Sequence, residues 1–76
     1  MELLERLYKS EINFNINAIW DGGFNISLTD AYGEDITKDG EVFATTVRNA
    51  EEIEAWFDAK VSILYPDSLY TKELTK

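Results

Sequence analysis

From Glu11 to Thr29 apolar and polar residues alternate almost without a break. Ile12, Phe14, Ile16, Ala18 and Trp20 fall on one face, and Asn13, Asn15 and Asn17 on the other. A period of two with β-branched and aromatic residues predicts a half-buried strand. Asp21-Gly22-Gly23 then supplies residues that tolerate positive φ, as a tight turn requires. Phe24, Ile26 and Leu28 resume the alternation against Asn25, Ser27 and Thr29. The two runs predict a hairpin turning between Trp20 and Phe24. Continuation of the apolar face predicts a buried Trp20.

Helical spacing flanks this hairpin. Leu3, Leu4, Leu7 and Tyr8 lie opposite Glu2, Glu5, Arg6 and Lys9, so residues 2–9 predict a short amphipathic helix. Residues 30–40 hold Gly33, Gly40 and the acids Asp30, Glu34, Asp35 and Asp39, and predict a loop with a second turn at Asp39-Gly40. Glu41 to Arg48 reads as a strand, with Phe43, Thr45 and Val47 on one face and Val42, Ala44 and Thr46 on the other. Asn49 followed by Glu52 has the form of a capping box. Glu51, Glu52 and Glu54 suit the positive end of the helix that follows. Ile53, Trp56, Phe57, Lys60, Val61 and Leu64 make its inward stripe, and Pro66 stops it near Leu64–Tyr65. Asp67 or Ser68 then starts a last short turn through Leu69, Tyr70 and Leu74. The order α-β-β-β-α predicts an α+β fold. One domain, residues 1–76, would carry a three-stranded antiparallel sheet with an N-terminal and a C-terminal helix packed on one face.

Composition narrows the chemistry. A chain of 76 residues buries only about 60% of its unfolded surface, so its core is small. Cysteine and histidine are both absent, which removes disulfides, soft metal ligands, a thiolate nucleophile and a proton shuttle near neutral pH. Apolar residues, ten of them aromatic, make up 45% of the chain and must supply the core. Phe14, Phe24, Phe43, Phe57 and Trp56 are expected there, while Tyr32 beside Gly33 belongs to no apolar face and is expected outside. The first residues lack a basic start and a long apolar run, and no stretch nears the ~20 apolar residues that span a bilayer. The expectation is a cytoplasmic protein without a cofactor.

Charge changes the picture most. The net charge is −8, yet residues 1–10 balance and residues 59–76 are slightly positive. Between Glu11 and Asp58 eleven acids face only Lys38 and Arg48. Direct binding to nucleic acid or anionic lipid is therefore disfavoured. Asp35-Ile36-Thr37-Lys38-Asp39-Gly40 has oxygen donors at the first, third and fifth places of a calcium loop. Thr46, however, stands where a bidentate Glu is required, and a strand follows in place of a helix. Paired catalytic carboxylates need a walled pocket, which so thin a fold does not supply. Neither a metal site nor an enzyme is expected. Spaced carboxylates on a rigid scaffold do resemble duplex phosphates, and would attract the Lys/Arg-lined groove of a nucleic-acid-binding protein.

Trp20-Asp21-Gly22-Gly23-Phe24, the segment Val47–Trp56 and Tyr65-Pro66-Asp67-Ser68 resemble motifs of a group of small bacterial and phage-associated proteins. The similarity covers most of residues 12–68, and its motifs are structural, implying no enzymatic activity. In size, acidity and β-sheet plus helix pattern the chain also resembles anti-CRISPR proteins, some of which mimic DNA.

These readings converge on a small acidic interaction protein of phage or mobile-element type. Its partner would be a host protein with a basic nucleic-acid-binding groove, such as a CRISPR effector. Asp30, Tyr32, Glu34, Asp35, Asp39 and Glu41 are the expected contacts in the loop, with Asp21 and, on the second helix, Glu51, Glu52, Glu54 and Asp58 as further candidates. The exposed sheet face is expected to be amide, leaving the acids to the loop and the helix. The alternative is a generic α+β accessory or dimerisation module, pairing two copies through a free strand edge.

Overall fold

The computed structural model describes residues 2–74. The chain runs α1 (Glu2–Lys9), β1 (Phe14–Ala18), β2 (Phe24–Leu28), β3 (Thr37–Lys38), β4 (Glu41–Val42), β5 (Ala44–Val47), α2 (Ala50–Leu64) and α3 (Leu69–Leu74). It is an α+β fold in which β1, β2 and β5 form an antiparallel sheet with β2 in the middle. The expected element order is thus enlarged by a two-residue hairpin, β3–β4, and by a third helix.

The alternation noted in the sequence places the core. Phe14, Ile16 and Ala18 of β1 oppose Leu28, Ile26 and Phe24 of β2, which in turn oppose Phe43, Thr45 and Val47. On this face Ile26, Leu28, Phe43 and Val47 are buried against Leu3 and Leu7 of α1, Ile53, Phe57 and Val61 of α2, and Tyr70 of α3. Burying these side chains is worth about 1.5–3 kcal/mol each, and it is the main term holding the fold together. Phe14 and Phe57 meet edge to face with ring centroids 6.0 Å apart. The opposite face carries Asn15, Asn17, Asn25 and Thr46, all exposed, and is amide as expected.

Local chemistry sets the boundaries. Helix α1 ends in a Schellman motif, with Glu11 N donating to Tyr8 O (3.0 Å) and Ile12 N to Leu7 O (3.1 Å). Glu11 occupies the left-handed position at φ 56° and Ile12 is buried. At the start of α2, Asn49 Oδ1 accepts from Glu52 N at 2.9 Å. Glu52 reaches back to Arg48 N at 3.4 Å, one residue short of a closed capping box. Helix α2 stops at Leu64 before Pro66, and Ser68 Oγ accepts from Thr71 N at 3.2 Å to open α3. Of the two expected caps, Ser68 is the one used.

Three expectations are corrected. Trp20 is 99% exposed. The ladder ends where Ile19 N donates to Gly23 O, and Trp20 belongs to the loop beyond it, so strand periodicity no longer governs its direction. Glu41 to Arg48 is not one strand. Leu28 N donates to Phe43 O, Phe43 N to Ile36 O and Ile36 N to Leu28 O, so Ile36 is inserted between the two segments. Glu41–Val42 pairs with β3 and Ala44–Val47 with β2. Lastly, Ser27 and Thr29 are buried although both lie on the polar side of the alternation. Thr29 bridges to Asp35 as the 30–36 loop folds back, and Ser27 lies between Asn15 and Ala44.

Candidate partner-binding site

The 30–41 segment is built as two consecutive turns. Asp30 Oδ1 accepts from Tyr32 N (2.8 Å) and Glu34 N (3.0 Å), and Asp30 N donates to Glu34 O (2.9 Å). This Asx arrangement holds the loop closed and leaves Tyr32 at its tip, 93% exposed. The second turn joins Lys38 to Glu41 through Asp39 and Gly40, at φ 52° and 82°. Two positive φ values in a two-residue hairpin make a type I′ turn, the usual place for Asp-Gly. Thr37 and Lys38 thereby pair with Val42 and Glu41, and the residues of the calcium-loop pattern are spread along a hairpin. Among the described residues no three acids group to hold a metal ion.

Of the expected contacts, Asp30, Tyr32, Glu34, Asp35 and Asp39 are brought onto this loop, and all are exposed. The carboxylates of Glu34, Asp35 and Asp39 make no ion pair among the described residues. Glu41 differs, because its Oε2 accepts from Lys60 Nζ at 2.9 Å. Lys60 also lies 5.7 Å from the centre of the Phe43 ring, and so pins the loop to α2.

The acids of α2 do not join this group. Phe24 pairs with Val47 and Ser27 with Ala44, so α2 begins at the end of the sheet away from the loop. The four residues Ala44–Val47 separate the two ends by about 10 Å. Glu52 lies against Arg48, which lines a shallow groove with Asp21, Gly22 and Gly23 of the first hairpin turn, and Glu51 precedes Glu52 in the first turn of α2. Glu54 and Asp58 lie on the flank of α2 opposite Lys60 and face α1. Glu54 pairs with Arg6 at 2.5 Å, and Asp58 lies 3.5 Å from the same guanidinium while accepting the Tyr70 hydroxyl at 2.6 Å. These two carboxylates are engaged in joining helices.

Sequence reasoning missed two exposed aromatics, Trp20 at the first hairpin tip and Tyr8, 80% exposed, at the end of α1. The Asp-Gly-Gly run beside Trp20 carried the signal, since a residue adjoining a turn need not continue a strand's apolar face. Among the described residues no helix is long and apolar enough to cross a membrane. No family model matches the chain, and neither a curated protein nor a solved structure is detectably similar to it.

Proposed function

We propose that this chain is a small acidic binding protein, not an enzyme, of phage or mobile-element type. It occupies the basic nucleic-acid groove of a host protein such as a CRISPR effector. The observation that carries this reading is the 30–41 segment, closed by the Asp30 hydrogen bonds, which exposes Tyr32 and the carboxylates of Glu34, Asp35 and Asp39 with no ion pair among the described residues. Fixed, spaced carboxylates give fast, salt-sensitive association with a Lys/Arg surface, and an exposed Tyr is a favourable anchor. The neutralised acids Glu41, Glu54 and Asp58 belong to the scaffold in this reading, and Asp21, Glu51 and Glu52 form a separate acidic end. Capture from a host lysate by the natural chain and by the triple variant Glu34→Lys, Asp35→Lys, Asp39→Lys tests it. A protein retained only by the natural chain is expected. Equal retention by a folded triple variant overturns the assignment.

A further inference from the structure

The sheet has an open side that the acidic loop does not explain. β1 is an edge strand, paired among the described residues only with β2. Thr29 N donates to Asn13 O and Ile19 N to Gly23 O, both at 3.0 Å. In an antiparallel ladder bonded pairs alternate, so the odd residues of β1 face β2. The backbone N–H and C=O groups of Phe14, Ile16 and Ala18 therefore point to the free side.

Natural edges are blunted by charge, proline, bulges or cover. β1 has none of the first three: residues 12–20 carry no charge, Pro66 is the chain's single proline, and the register runs unbroken over five pairs. Beside this edge runs an apolar groove walled by Leu3 and Leu4 of α1, Phe14 and Ile16 of β1, Phe24, and Ile53 of α2. Leu4 is 40% exposed and Phe14, Ile16 and Phe24 are half-buried. Backbone groups on the edge with apolar side chains beneath are the two halves of a β-augmentation site.

Charge selects the occupant. A second copy would bring a further −8 to a chain that already carries −8, and exposed Glu51 directly follows the groove residue Ala50. We propose that β1 receives an extended segment of a basic partner protein as a fourth strand. That segment has an apolar residue at every second position to fill the groove, and Lys or Arg between and at its ends. The site is independent of the 30–41 loop and stands or falls separately from it.

The test uses a seven-residue acetylated, amidated peptide alternating Lys and Val, titrated into the natural chain by calorimetry. A second peptide of equal charge is N-methylated at alternate amides, which blocks pairing on one edge. The first peptide is expected to bind at least tenfold more tightly than the second. Ala18→Pro removes one outward N–H at an exposed position and is expected to weaken the first peptide by a similar factor while the melting temperature holds. The Glu34, Asp35, Asp39 triple variant should retain the tenfold ratio between the peptides. Equal binding of the two peptides, no binding of either, or a dimer in sedimentation that Ala18→Pro dissolves, overturns the proposal; the last result would assign the edge to a second copy.

Discussion

The Tyr70 hydroxyl donates a 2.6 Å hydrogen bond to Asp58 Oδ1 and so joins α3 to α2. Arg6 of α1 completes the junction, its guanidinium carbon 4.7 Å from the centre of the Tyr70 ring. Burial first, then the hydrogen bond and charge of Asp58, push the Tyr70 hydroxyl well above the usual tyrosine range. The unfolded chain releases this proton near pH 10 while the folded chain keeps it. Stability from this group is thus complete below about pH 10 and falls as pH rises through the alkaline range. Tyr70→Phe should cost about 1.5 kcal/mol at neutral pH, as loss of a hydrogen bond to a charged group. It should also remove this part of the alkaline decline. Urea denaturation at pH 7 and pH 11 checks both effects.

Glu11 pays a conformational cost at the end of α1, holding φ 56° where glycine is favoured. Glu11→Gly should stabilise the chain by about 1 kcal/mol, because a left-handed L-residue costs about that much. For a domain of this size that is a rise of roughly 4–8 °C in melting temperature. Thermal unfolding followed by circular dichroism provides the measurement.

Gly23 is required for two reasons at once. Its φ is +94°, and a Cβ placed there would lie 2.7 Å from the carbonyl oxygen of Val47. Gly23→Ala must then strain the hairpin and push β2 from β5, costing about 2 kcal/mol or more. Gly22, at φ +124° with open space around it, should tolerate alanine better. Comparing the two variants by denaturant midpoint separates close approach from backbone strain.

Trp20 makes no contact that its removal would break, being 99% exposed. Trp20→Ala should change stability by less than about 0.5 kcal/mol, as for other surface sites. Its emission should be that of a solvated indole, whereas Trp56, edge to face with Phe57 at 5.2 Å, should emit further to the blue. Fluorescence of the two single-Trp variants decides this.

How much the sequence revealed depended on the range of the interactions involved. The first hairpin, the Asn49 cap and the stop at Pro66 are written in a few adjacent residues, and the structure keeps all three. The break at Phe43 was invisible because residues 41–47 are strand-forming types on both sides of the bend; only the insertion of Ile36 shows that the strand changes partner. Glu11 as a left-handed cap was likewise hidden, since glycine is the usual marker. The loop acids could be located from Gly33 and Asp39-Gly40. Their separation from Glu51 and Glu52 follows from the β2–β5 register. The neutralisation of Glu41, Glu54 and Asp58 depends on Lys60 and Arg6, which lie 19, 48 and 52 positions away. No local pattern encodes such pairs.

In the proposed function the loop carboxylates stand in for nucleic-acid phosphates. Titrating duplex DNA into the complex of this chain with its captured partner tests that most directly. Mutual exclusion is predicted, with the chain displaced as DNA fills the groove and with affinity for the chain falling as salt rises. A stable ternary complex, with partner, DNA and this chain all bound, would rule out occupation of the DNA groove by the loop.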